Sequence, residues 1–225
     1  NGFTDFLTSE EINEYLKTSF IGRKIIHFDS LDSTNAYAKI IGQSCDDGTV
    51  ITCENQTAGR GRLGRQWESQ SNSMCMSIIL KPGISIYQVA KITQVCAAAV
   101  FLALEELEIS AEIKWPNDIM INNKKVCGIL TEMVSDKNEV KFVVVGIGMN
   151  INDSDFKDEI KETATSLKLE SGNYIKKSKA AALILNNFET LYDEFVKNNN
   201  FNISLDICRN RSNVIGRNIN LIKNT

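Results

Sequence analysis

The chain has 225 residues, 43% hydrophobic and 24% charged, the balance of a globular protein long enough to bury a core without disulfides or metal. Lys and Arg number 25 against 28 Asp and Glu, a net charge of -3, which excludes a protein whose whole surface binds nucleic acid but leaves room for a local basic site. Two prolines, 13 glycines and no low-complexity tract exclude collagen, coiled coil and a disordered tail.

The first residues, NGFTDFLTSEEINEYL, carry acids and no apolar stretch of the kind a signal peptide needs. The longest apolar run, Val95 to Leu104, falls short of the roughly 20 residues of a membrane span. Six cysteines at 45, 53, 75, 96, 127 and 208 form no close pair and read as reduced, buried thiols, which points to the cytoplasm. His27 is the one histidine and has no cysteine near it in sequence, so no zinc site and no other protein-held metal is expected.

In chain order, residues 9–17 predict a short helix capped by Ser9, and 24–28 a strand. Ser33 to Ile41 is a helix opened by a Ser/Thr cap, and 49–54 is a strand. The stretch NQTAGRGRLGRQWESQSNS has almost no aliphatic content and is a loop. Residues 74–80 form a buried strand, and 86–107 a core helix that is apolar on nearly every face at its centre. A strand at 112–115 stops at Pro116. Then come hairpins: 119–121, an Asn122-Asn123 turn, 126–132, a turn at 135–138, and 140–151. Residues 153–165 are polar and acidic, 177–197 form an amphipathic helix, and 203–222 hold strand-like pieces around Asn213 to Gly216. The order predicts an α+β fold, a mixed, mainly antiparallel sheet with helices packed on one face.

Three stretches carry chemistry. Gly59 to Arg65 packs three glycines and three arginines into seven residues without an acid. Like charges so close repel, so the stretch makes sense where an anion sits: glycine lets backbone N–H groups approach it, and arginine brings forked donors. The match of Gly59, Gly61 and Gly64 to G-x-G-x-x-G fails as a dinucleotide fingerprint, because polar loop and strand follow instead of a helix. No P-loop occurs, and a single copy inside a folded pattern is unlike an arginine-glycine RNA-binding segment. The second stretch is Lys114 to Glu132, where Asn117-Asp118 follow a Trp-Pro strand end and Lys125 stands just past a tight turn; a solubilising turn is the plainer reading of Lys124-Lys125 alone. The third is Val143 to Asn152, a strand interrupted by Gly146 and Gly148, through close approach of a ligand or through two bulges.

Together, in this order, these residues resemble the bacterial biotin protein ligases, the biotin–[acetyl-CoA-carboxylase] ligases. The resemblance is carried by Asp32-Ser33-Thr34-Asn35, by ENQTAGRGRLGRQW from Glu54 to Trp67, by KWPND from Lys114 with KVCGIL from Lys125, and by GIGMNIN from Gly146. It implies the class II aminoacyl-tRNA synthetase and biotin ligase-like fold. It implies activation of biotin by ATP, with Mg²⁺, to biotinyl-5′-AMP and pyrophosphate, then transfer to a lysine of a biotin carboxyl carrier domain of acetyl-CoA carboxylase or another biotin-dependent carboxylase. Lipoate ligation on the same fold and a biotin-sensing transcriptional regulator are the alternative expectations.

By that resemblance Ser33, Thr34, Asn35 and Gln56 bind biotin's ureido end and wall. Arg60, Gly61 and Arg62 close over biotin and the phosphates. Lys125 holds the carboxylate, and the backbone of Gly146 and Gly148 lines the slot. Arg62, Arg65, Trp67, Asn117 and Asn150 face ATP, Asp118 orients the incoming lysine, and 153–165 covers the adenine. Lys125, Arg60 and Asp118 are the expected catalytic residues. The expected organisation is an N-terminal segment 1–20, a catalytic domain 21–200 and an incomplete C-terminal β-barrel 201–225. No nucleic acid or membrane partner is expected for this chain, and the resemblance allows a homodimer.

Overall fold

A computed structural model of the chain describes residues 5–69 and 71–218. Its frame is a seven-stranded sheet in the order β1-β2-β3-β7-β6-β5-β4. The strands are β1 (Ile25–Leu31), β2 (Val50–Gln56), β3 (Ser73–Leu80), β4 (Glu112–Lys114), β5 (Asp118–Ile121), β6 (Lys124–Asp136) and β7 (Glu139–Asn150). β1 and β2 pair parallel, and every other neighbour pairs antiparallel. Asn122 and Asn123 both take positive φ between β5 and β6, as the turn requires.

Alternation along the strands sorts side chains to two cores. Met74, Met76, Ile78 and Leu80 of β3 and Val143, Val145, Ile147 and Met149 of β7 enter the large core. That core is roofed by α3 (Val89–Glu106) and α5 (Lys177–Val196), with α6 (Asn202–Asn210) against α3. α1 (Ser9–Asn13) packs on α5. By composition Ile86–Glu106 is apolar enough to cross a membrane, but most of it is buried in this core. Among the described residues the opposite face carries one α-helix, α2 (Thr34–Ile41), over Ile51, Ile79, Phe142 and Val144. The long helices therefore share one face as expected, and α2 covers only part of the other. The segment between β2 and β3 reaches over part of the remainder, where Trp67 lies on Gly128 and Gly148.

Three expectations change. Residues 202–210 are helix, not strand: Ser204 and Cys208, four apart, face inward, and Cys208 Sγ donates to the carbonyl of Gln94 in α3 at 3.5 Å. Ser212 then makes one parallel bridge to Ile113, and 213–217 are turns and bends, so the strand at 213–216 is not formed. Residues 219–225 of the expected barrel lie outside the described residues. The expected boundaries at 20 and 201 do not divide the packing, because Leu7, Ile12 and Leu16 at one end and Cys208 at the other belong to the large core. A short helix α4 (Leu167–Ser171), capped by the Ser166 hydroxyl, follows the polar stretch and carries too little periodicity to read from sequence.

Candidate active site

The strand register builds a groove in the face that carries α2. Gly128 of β6, Gly148 of β7 and Cys75 of β3 stand side by side in one row; Leu130, Gly146 and Ser77 make the next. The pairing runs through both β7 glycines without a register shift, so they are not bulges. They are glycine because other side chains lie on them: a Cβ at Gly146 would overlap the Asn35 amide, and one at Gly148 the Trp67 indole.

α2 supplies the first wall. Gln56 Oε1 accepts from the Thr34 backbone at 2.8 Å and its hydroxyl at 3.1 Å. Ser77 Oγ donates to Asn35 Oδ1 at 2.6 Å and lies 2.7 Å from Thr34 Oγ1. Asn35 Nδ2 donates to the Leu130 carbonyl at 3.2 Å and to Glu132 Oε2 at 2.9 Å. The Asn35 amide is thus engaged by the protein on both ends, and it lines the cleft as a buckle between α2 and β6. Ser33 caps α2 and lines the same wall. Burial pushes the Glu132 carboxyl up, but hydrogen bonds from Lys39 and Asn35 outweigh it and hold the group below the ordinary carboxylate range.

The arginine stretch forms the second wall as a small hairpin rather than a shapeless loop. Gly61 N donates to the Arg65 carbonyl at 2.7 Å, Trp67 N to that of Gly59 at 2.9 Å, and Arg60 bridges Gln66. Leu63 and Gly64 turn its tip with positive φ. Arg62 Nη1 donates to Asn117 Oδ1 at 2.8 Å, and Asn117 is itself fixed to Ile129 by two bonds. Arg60, Gly61, Arg62, Trp67 and Asn117 therefore line one cleft with Thr34, Gln56, Gly146 and Gly148. Trp67 Nε1 is buried there without a hydrogen-bond partner.

Lys125 stands at the rim, its Nζ 5.5 Å from the Trp67 ring centre and 2.7 Å from Asp118 Oδ1. That contact joins charge to charge but lacks hydrogen-bond alignment. The lysine backbone is pinned by the polar stretch: Lys125 N donates to Thr163 O at 2.7 Å, and Thr165 N to Lys125 O at 3.0 Å. Arg65 does not line this cleft; it lines a neighbouring hollow together with Arg60, Arg62, Leu130 and Glu132. Asn150 is buried, with Nδ2 on the Thr165 carbonyl at 3.0 Å, and does not line the cleft. Ser77 and Gly128 were missed in the sequence; a serine inside the apolar run MCMSIIL was the available signal.

Residues 27–150, more than half of the chain, match the model of the Biotin/lipoate A/B protein ligase family. The chain belongs to that family. Its relatives include the bifunctional ligase/repressor BirA of Bacillus subtilis, 41% identical over 195 residues, covering 84% of this chain and 60% of the relative. The biotin–[acetyl-CoA-carboxylase] ligase of Paracoccus denitrificans is 35% identical over 123 residues, 53% of this chain and 51% of the relative. Among solved structures, the biotin protein ligase of Aquifex aeolicus in complex with biotin and ATP aligns with a TM-score of 0.75 at 29% identity, over 86% of this chain and 80% of that one. The chain thus spans about 60% of the length of the BirA relative. As a Biotin/lipoate A/B protein ligase family member, it shares the mixed sheet on which the glycine rows and the arginine hairpin are mounted.

Proposed function

We propose that this chain is the catalytic part of a biotin protein ligase. One observation carries the reading: the arginine hairpin and the glycine-floored groove line a single cleft, with Lys125 beside Trp67 at its rim. The names of the relatives support the choice of biotin, ATP and a carboxylase carrier domain.

The cleft accepts a flat apolar body between the α2 wall, where Thr34 and Gln56 stand, and the arginine hairpin, while the Asn35 amide and the Trp67 indole cover Gly146 and Gly148. Biotin's ureido end sits at the α2 wall, and its carboxylate extends toward Lys125. Joining a carboxylate to the α-phosphate of ATP brings two anions together, and Arg60, Arg62 and Lys125 offset that repulsion from a preorganised site. The carboxylate oxygen attacks phosphorus and pyrophosphate leaves. Trp67 offers its unpartnered N–H and its ring to the nucleotide. In the second step a carrier lysine attacks the acyl carbon and AMP leaves, with Asp118 at the rim to orient the amine. No group of three His, Cys, Asp or Glu side chains among the described residues could hold a metal ion. Mg²⁺ would arrive on the ATP phosphates, and no step here runs through a protein-held metal.

The cell compartment in this reading is the cytoplasm, and the active species a monomer or homodimer. The test is ATP–pyrophosphate exchange with biotin or lipoate. Exchange that needs biotin supports the reading; exchange with lipoate alone, or none with either, overturns it.

A further inference from the structure

Lys177 breaks two local rules. It is the first residue of α5, where the helix dipole disfavours a cation, and only 5% of it is exposed. The helix start is satisfied by Asp5, whose carboxylate accepts from Lys177 N at 2.7 Å and Ser178 N at 3.3 Å. The ammonium reaches elsewhere. It donates to Glu54 Oε2 at 2.6 Å and to the Ser71 carbonyl at 3.0 Å.

Those two acceptors are the roots of the arginine hairpin. Glu54 lies two residues before the end of β2, and Ser71 two before the start of β3. Between them run the residues that carry Arg60, Arg62 and Trp67. A second rung stands inside the first: Gln56 N donates to Ser69 Oγ at 3.1 Å, and Ser69 Oγ to Gln56 O at 3.3 Å. Gln56 is also the wall that holds Thr34. The polar stretch 153–165 starts at the same place, where Ser73 Oγ donates to Asp153 Oδ1 at 2.9 Å. A buried ion pair adds little net stability over a well-packed apolar pair, so its presence here calls for another role.

We propose that Lys177 is a positioning residue for the arginine hairpin: by joining Glu54 and Ser71 across its mouth, it sets the angle at which Arg60 and Arg62 reach the cleft, without touching substrate. Only the activity readout rests on the ligase reading.

The test compares the full chain with Lys177→Met, Lys177→Arg and the double variant Glu54→Gln/Lys177→Met. The first readout is trypsin cleavage after Arg60, Arg62 and Arg65 without ligand; the second is release of biotinyl-adenylate in a chase. Lys177→Met and the double variant should raise both rates about tenfold, the effect of losing a charge-assisted hydrogen bond, and Lys177→Arg should return them to within about twofold. The double variant leaves no unpaired charge at position 54, so it carries the test if Lys177→Met does not fold. The proposal is overturned if hairpin cleavage in the double variant is unchanged, if cleavage rises equally along the whole chain, or if the double variant also fails to fold. A wild-type chain that makes no adenylate sinks the ligase reading alone, because cleavage still decides the clamp.

Discussion

Lys125 and Asp118 face each other across β5 and β6, Nζ 2.7 Å from Oδ1, so the two residues assigned to successive half-reactions are each other's counter-ion. In the proposed reaction, a substrate carboxylate that draws Lys125 away would free Asp118 for the incoming amine.

Lys125→Ala should lower biotin-dependent pyrophosphate exchange by about 10²–10³, the usual cost of removing one group that stabilises developing charge. The pair is about one-third and one-quarter exposed, so folding should lose no more than about 1 kcal/mol. Exchange assays beside a thermal melt check this. Near-normal exchange would return Lys125 to the solubilising turn.

Asp118→Asn should separate the half-reactions. Adenylate formation should stay within about tenfold of wild type while transfer to a carrier lysine falls by about 10²–10⁴, the range for a positioned acid–base group. Single-turnover transfer from preformed adenylate measures it. Equal losses in both steps would show that Asp118 acts only through Lys125.

Gly148→Ala places a methyl group where the Trp67 indole lies. Overpacking should cost about 1–3 kcal/mol or drive the ring aside. The expected kinetic result is a raised KM for ATP with that for biotin less affected. Tryptophan fluorescence with ATP titration is the measurement, and unchanged ATP affinity would mean that the ring does not contact the nucleotide.

Glu132 gives a pH dependence of defined sign. Its folded-state pKa lies below the ordinary 4.5, so the ionised group stabilises the fold above that value. The contribution fades as the pH falls through the folded-state pKa. Glu132→Gln should therefore be less stable than wild type at neutral pH, by about 1 kcal/mol for a pair this exposed, and the gap should close in acid. Denaturant melts at neutral and acid pH decide; a gap that persists in acid would place the stabilisation in packing.

The hairpin run from Asp118 to Asn150 and the core helix were legible because period-two alternation and paired asparagines are local signals. The arginine stretch was legible as a candidate cleft wall because three arginines and three glycines in seven residues stand out from their surroundings, and the folded chain places Arg60, Gly61 and Arg62 on that cleft. α6 was not, because its buried residues, Ser204 and Cys208, are small and only weakly apolar, and its place is set by α3. The occupation of Asn35 was hidden for a similar reason. Its partners Ser77, Leu130 and Glu132 come from distant strands that only the folded register brings to α2. Lys177 read as one more polar residue at the head of an amphipathic helix, since the two loop roots it joins lie more than a hundred positions away.

All six cysteines are free and buried, and burial pushes the Cys75 thiol beneath the groove up to about 12. The folded surface is therefore silent to maleimide dyes. A single cysteine introduced at Leu63, 90% exposed at the hairpin tip, would accept a fluorophore with no native thiol competing. Whether the arginine hairpin moves when biotin or ATP is added can then be read in real time from a single dye.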